Sequence, residues 1–300
     1  VDSDARPRHD WLRQLTIRLD RPGCGASTGY RWFVPVDNRN SSHLLSAINA
    51  GVASLLGNGR LNMVWGGSWA LRREVFEQIG LRDAWQGTLS DDLVASRVLR
   101  SAGLRVNFEP ACMLASPLTS TQASALEFVR RQFVIGRFYA TSPWAVSLVG
   151  TTLIRTVAAC GLLALPLLAL GHSSPWAWSM AGATSLLGLL GVVRAHYRQR
   201  LVRLWLPKQQ ETLTAARRFD LLLWPFIAVV NWLCLLSSLV GDKVTWRGNR
   251  YQILPGGQIR LVQRDAAADQ KVARKSPRPP HFDRGAAQTK NRRTRSGRPR

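Results

Sequence analysis

Long apolar runs in the second half of this chain decide what it can fold into. Ala145–Gly171 carries a single charge, Arg155, and exceeds the ~20 apolar residues that cross a bilayer. Trp176–Val193 is a shorter run, separated from the first by the turn-like His172-Ser173-Ser174-Pro175, and the two read as a helical hairpin. Phe219–Gly241 is free of charge except Asp220 but contains Pro225 and Asn231. This third run reads either as a full crossing or as a re-entrant hairpin kinked near Pro225. Helices of soluble proteins alternate apolar and polar faces, and these runs do not.

The charge distribution follows the runs. The formal net charge is +23. Between Arg194 and Arg218 there are seven Lys/Arg against one Glu, and between Arg264 and Arg300 twelve against three acids. Basic residues beside spans mark the cytoplasmic side and attract anionic lipid, which places the 194–218 loop and residues 1–140 in the cytoplasm. No nucleic-acid partner is expected, because the basic tail has only Phe282 for base stacking. The cysteines Cys24, Cys112, Cys160 and Cys234 show no CxxC spacing, so neither a disulfide framework nor a zinc site is indicated.

Four regions result: an α/β region over 1–140, a membrane region of about three apolar helices over 141–241, a short segment over 242–263, and a disordered basic tail over 264–300. Within the first, Trp11–Leu19, Ser42–Leu56, Arg72–Ile79 and Asp92–Ser101 have helical spacing, while Gly25–Val34 and Arg105–Phe108 read as strands.

Motifs in the first of these regions carry chemistry. Asp2-Ser3-Asp4 sets two carboxylates at i and i+2, which can hold a divalent ion directly and through water or a sugar hydroxyl. The same pattern also occurs as a solvated loop. Trp65-Gly66-Gly67-Ser68-Trp69 is a double glycine that reads as opening a helix, followed closely by Arg72 and Arg73; it suits close backbone approach to a ligand, or simply a tight turn with solvated arginines. Thr88-Leu89-Ser90-Asp91-Asp92-Leu93 begins a helix with adjacent carboxylates. One can line a site while its neighbour caps the helix.

In combination these stretches resemble the family-2 glycosyltransferases, and more narrowly the ceramide glucosyltransferase-like branch with its bacterial hopanoid-type enzymes. Also matching are Thr28-Gly29-Tyr30-Arg31-Trp32, Gly103-Leu104-Arg105-Val106-Asn107-Phe108-Glu109-Pro110 and Trp246-Arg247-Gly248-Asn249-Arg250-Tyr251. The resemblance covers roughly residues 1 to 262. It implies an α/β fold: the C-terminal half of a GT-A (nucleotide-diphospho-sugar transferase) domain, followed by transmembrane helices and the tail. Asp2 and Asp4 would then hold Mg2+ or Mn2+ with the donor diphosphate, Asp92 would be the base and Asp91 its partner. Gly66, Gly67 and Ser68 would lie beside donor sugar and acceptor. Where the family carries QxxRW, this chain has Arg131-Gln132-Phe133-Val134-Ile135-Gly136-Arg137-Phe138-Tyr139. Gln132 fits, and Arg131 or Arg137 would supply the cation and Phe138 or Tyr139 the ring; an amphipathic helix on the membrane interface reads equally well.

The activity implied is inverting transfer of a sugar from a nucleotide donor, UDP-linked, to a membrane lipid acceptor at a bacterial-type inner membrane. A non-catalytic membrane-anchored relative and a polysaccharide synthase are the alternatives. Because Val1 opens the chain at a motif that the family places in mid-domain, upstream nucleotide-binding strands and a further span are expected to precede it.

Overall fold

The computed structural model describes residues 7–57, 62–172, 174–246 and 248–264. In chain order these form α1 (Trp11–Thr16), β1 (Cys24–Pro35), α2 (Asn40–Ala53), β2 (Trp69–Ala70), α3 (Arg73–Gln78), α4 (Leu81–Ala84), α5 (Asp91–Ser101), β3 (Arg105–Leu118) and α6 (Gln122–Tyr139). Then come the long helices α7 (Thr141–Ala169) and α8 (Pro175–Trp205), the pair α9 (Leu213–Leu222) and α10 (Trp224–Ser237), and finally β4 (Lys243–Trp246), β5 (Asn249–Ile253) and β6 (Ile259–Gln263).

β1 is the middle strand of the first sheet, antiparallel to β2 and parallel to β3. It is buried along its length except at half-buried Arg31, as expected of a strand covered on both faces. β3 runs to Leu118, well beyond the Arg105–Phe108 that the sequence suggests. Prolines usually end a strand, but Pro110 lies in a bulge: Thr28 pairs with Phe108 and Tyr30 with Met113, leaving Glu109–Cys112 opposite Gly29 alone. On one side, Ala26, Val75, Leu81, Ala95, Leu99 and Val106 form the core between sheet and α3–α5. On another, Tyr30, Trp32, Val34, Ala50 and Met113 pack with Val202, Leu206, Leu213 and Ala216 from the end of α8 and from α9. The first sheet and the basic end of the long hairpin therefore share one core. Arg194 of α8 also donates to the Ser54 hydroxyl at 2.8 Å and the Gly51 carbonyl at 3.2 Å.

α7 and α8 are long and apolar enough to cross a membrane. At 29 and 31 residues they extend well past the ~30 Å hydrocarbon core, at ~1.5 Å per residue. Most of their large apolar side chains are exposed, including Val146, Leu162, Leu163, Trp178 and Leu189, as lipid-facing positions require. They meet where α7 has no side chain: a Cβ on Gly161 would lie 2.5 Å from the Met180 carbonyl. The basic segment expected to be a loop is helical as far as Trp205, since arginine is a good helix former. The third run is two helices bent by 84°, with Pro225 in the first turn of α10, so the break falls where the proline implies.

Residues 242–263 form a second, antiparallel three-stranded sheet, β4-β5-β6, rather than a mere short segment. Its Val244 and Ile253 join Val94 of α5 and Val134 and Tyr139 of α6 in one buried cluster. Chain that follows the membrane helices thus packs against the helix bearing the acidic pair. The expected disordered tail lies outside the described residues, apart from its first residue, Arg264.

Candidate active site

Helix α5 begins at the acidic pair because Ser90 caps it, its hydroxyl accepting from the Leu93 N–H at 3.4 Å. Acidic residues in a first turn also suit the positive end of the helix. The same Ser90 hydroxyl donates to Asp92 Oδ1 at 2.6 Å, and the Leu93 N–H reaches that oxygen at 2.8 Å. Oδ1 therefore has two donors, whereas Oδ2 has one, the Gly66 N–H at 3.2 Å. A carboxylate oxygen accepts about two hydrogen bonds, so among the described residues Oδ2 keeps room for one more donor. Asp91 is exposed beside it, and its own carbonyl accepts from the Trp85 indole at 2.9 Å.

The Gly66-Gly67-Ser68 loop is held against this pair from below. Ser68 is fully buried; its hydroxyl accepts from the Trp11 indole at 3.0 Å and donates to the Cys112 carbonyl at 3.2 Å. Thr28 receives the Trp65 N–H at 2.9 Å and donates to the Ser68 carbonyl at 3.2 Å. Gly29 must be glycine, because a Cβ there would stand 2.3 Å from the Cys112 carbonyl oxygen. At Gly66, a Cβ would lie 3.2 Å from Asp92 Oδ2 and 3.4 Å from Asp91 Oδ1. The loop and both carboxylates thus form one wall, and the Trp65 ring that precedes the loop packs on Tyr30 with centroids 4.4 Å apart and planes tilted by 45°.

An acidic pair at a helix start thus faces a glycine loop, in a chain that also carries two membrane-length helices. The profile of Glycosyl transferase family 21 matches residues 1–259. The chain belongs to this family. It is therefore a glycosyltransferase, and the ceramide glucosyltransferase-like resemblance is met at the level of the family. No curated protein gives a significant match.

Of the residues that the sequence singles out in this glycosyltransferase, the fold brings together Gly66, Gly67, Ser68, Asp91 and Asp92. Arg131 and Arg137 lie elsewhere in their bonding. Arg131 donates to the Thr245 carbonyl at 2.9 Å, and Arg137 to the carbonyls of Leu239 and Gly241. Together with Arg130, which donates to the Val240 carbonyl at 2.8 Å, they tie α6 to the chain leaving α10. Gln132 is exposed on α6. Asp2 and Asp4 lie outside the described residues, and among the described residues no group of three His, Cys, Asp or Glu is assembled for a metal.

Sequence reasoning missed the roles of Ser90, Thr28, Trp11 and the Tyr139 hydroxyl. Ser90 was legible, since a serine directly before two acids is an N-cap signal. The others act through contacts between residues 37 to 118 positions apart, which no local pattern encodes.

Proposed function

We propose that this glycosyltransferase moves a sugar from a UDP-linked donor to a lipid acceptor in one inverting displacement, with Asp92 as the base. The observation that carries the reading is the Asp92 carboxylate: Oδ1 is fixed by two donors and Oδ2, beside Gly66, has room for one more. An acceptor hydroxyl donating to Oδ2 would lose its proton there as its oxygen bonds to the anomeric carbon. The bond from that carbon to the diphosphate breaks, and its electron pair leaves with the nucleotide. Asp91, exposed at the same helix start, is the partner carboxylate.

Asp2 and Asp4 would hold the divalent cation, Mg2+ or Mn2+, because paired carboxylates at i and i+2 offer the hard oxygens such ions prefer. Once bound, the ion would neutralise charge on the departing diphosphate. Asp92 is unsuited to that task, since three protein donors already point at its oxygens.

A lipid acceptor is supported by the core that the sheet shares with the ends of α8 and α9, because Trp65, at the start of the glycine loop, packs against that same core. The arginines of α8 lie on that same side: Arg194 bonds the end of α2. Basic residues beside a span favour the cytoplasmic side of a bacterial-type inner membrane, so the catalytic layer would be cytoplasmic. The test is a purified preparation in lipid vesicles given a panel of UDP-hexoses, with Mn2+ or Mg2+ and with EDTA. Metal-dependent transfer into the lipid fraction is the expected result. Release of UDP without any glycolipid, even with acceptor lipids varied, would sink the lipid acceptor.

A further inference from the structure

We propose that Tyr139 is a positioning residue for transfer: its hydroxyl sets the loop that aims Asp92 and fastens that loop to the sheet behind the membrane helices. The proposal rests on the reading of Asp92 as the base. Tyr139 is the last residue of α6, and after Ala140 the chain enters α7. Its side chain is buried, and its hydroxyl accepts from the Leu89 N–H at 2.9 Å while donating to the Gly257 carbonyl. One residue after Leu89 comes Ser90, whose hydroxyl caps α5 and holds Asp92 Oδ1. The route from Gly257 through Tyr139 to Asp92 therefore consists of hydrogen bonds and one peptide unit.

Two further bonds close the same joint. The Ile259 N–H donates to the Gly87 carbonyl at 2.8 Å, and the Gln258 amide to the Gln86 carbonyl at 3.3 Å. Gly257 makes the approach possible: its φ is +86°, and a Cβ would lie 2.9 Å from the Tyr139 ring. Burial pushes the phenol above its ordinary range, so the hydroxyl remains a proton donor at neutral pH. Ring packing in the cluster with Val94, Val134, Val244 and Ile253 needs only an aromatic side chain. The hydroxyl's separate contribution is direction: without it the half-buried Leu89 amide and the buried Gly257 carbonyl lose this partner, and the 86–90 loop loses the anchor nearest Ser90.

Tyr139→Phe isolates that contribution. In full-length protein in lipid vesicles, amide hydrogen exchange over residues 86–93 should rise about tenfold, the equivalent of one lost hydrogen bond, with residues 24–35 unchanged. Gly257→Ala, which displaces the ring instead, should give the same exchange pattern. With UDP-glucose as donor probe and ceramide-containing vesicles as acceptor, kcat should fall ~10-fold or more while KM for UDP-glucose stays within about twofold. In an Asp92→Asn background, Tyr139→Phe should lower the residual rate little further, because both act on one group.

Unchanged exchange over 86–93 in Tyr139→Phe overturns the proposal, and this readout needs no substrate. So does a rise in KM with kcat intact, or losses that multiply in the double variant. Near-normal transfer by Asp92→Asn would instead remove the base assignment first, and the positioning role with it. That outcome is distinct from an inactive Asp92→Asn beside a fully active Tyr139→Phe, which defeats the Tyr139 proposal alone.

Discussion

The backbone N–H of Gly66 meets Asp92 Oδ2 at 3.2 Å, so a glycine loop and a carboxylate 26 positions later share one wall. The contact explains why a side chain is missing at 66. It also fixes the carboxylate from the side opposite to Ser90 and Leu93.

Gly66→Ala tests that wall. A Cβ would stand 3.2 Å from Asp92 Oδ2, tight enough that loop or carboxylate must shift by tenths of an ångström. Misplacements of that size at a reacting group cost rate rather than fold, so turnover should fall ~10-fold with little change in thermal stability. Transfer assays paired with melting curves in detergent check it. A variant that melts early and regains full turnover at low temperature would speak for a folding role instead.

The buried ion pair between α8 and α9 predicts a stability effect. Asp220 is fully buried; Arg198 Nε reaches Oδ2 at 2.8 Å, a second Arg198 nitrogen bonds Oδ1, and the Gln199 amide donates to Oδ2 at 2.7 Å. Removing one partner strands the other charge, so Asp220→Ala should cost ~3–5 kcal/mol. Replacing both, as Asp220→Leu with Arg198→Met, should recover most of that loss. Thermal unfolding in detergent measures both variants; equal damage from the single and double changes would contradict the desolvation account.

Cys112 gives the chain a pH dependence at the alkaline end. Burial, with the Glu109 carboxylate adding to it, pushes the thiol from 9.0 up to about 12. Unfolded chain releases this proton above pH 9.0 and folded chain holds it to about 12, so stability is unaffected below 9.0 and lost as pH rises between the two. Wild type should therefore lose more melting temperature between pH 8 and 10.5 than Cys112→Ala does. Parallel pH profiles would mean that the thiol is not the group responsible.

Much of this was legible in sequence for physical reasons that can be named. β1 and α2 follow from local periodicity, the long hairpin from uninterrupted apolarity, and the break before α10 from Pro225. The Asp91–Asp92 helix start was readable because Ser90 caps it. By contrast, β3 was read as ending at Phe108 because Pro110 hides in a bulge that only its partner strand defines. The β4–β6 sheet was invisible because its strands are short and mostly exposed, and its buried residues gain meaning only against α5 and α6. The bonds from Arg131 and Arg137 to carbonyls more than one hundred positions away were equally beyond any local pattern.

Asp92 and Asp4 should separate cleanly in kinetics, because one is proposed to move a proton and the other to hold the donor's metal. Asp92→Asn keeps the side chain's size and the acceptor for Ser90 and Leu93, but it sets an amide N–H2 opposite the Gly66 N–H and removes the proton acceptor. Turnover should fall ~10²–10⁴-fold while donor binding changes little. Asp4→Asn removes charge from the pair Asp2 and Asp4, so donor affinity should suffer directly, and added Mn2+ or Mg2+ should restore part of it. Metal should not rescue Asp92→Asn. Equilibrium binding of a UDP-sugar, measured beside turnover across a metal titration, distinguishes the two. The roles as proposed fail if both substitutions weaken donor binding alike, or if Asp92→Asn transfers sugar at a near-normal rate.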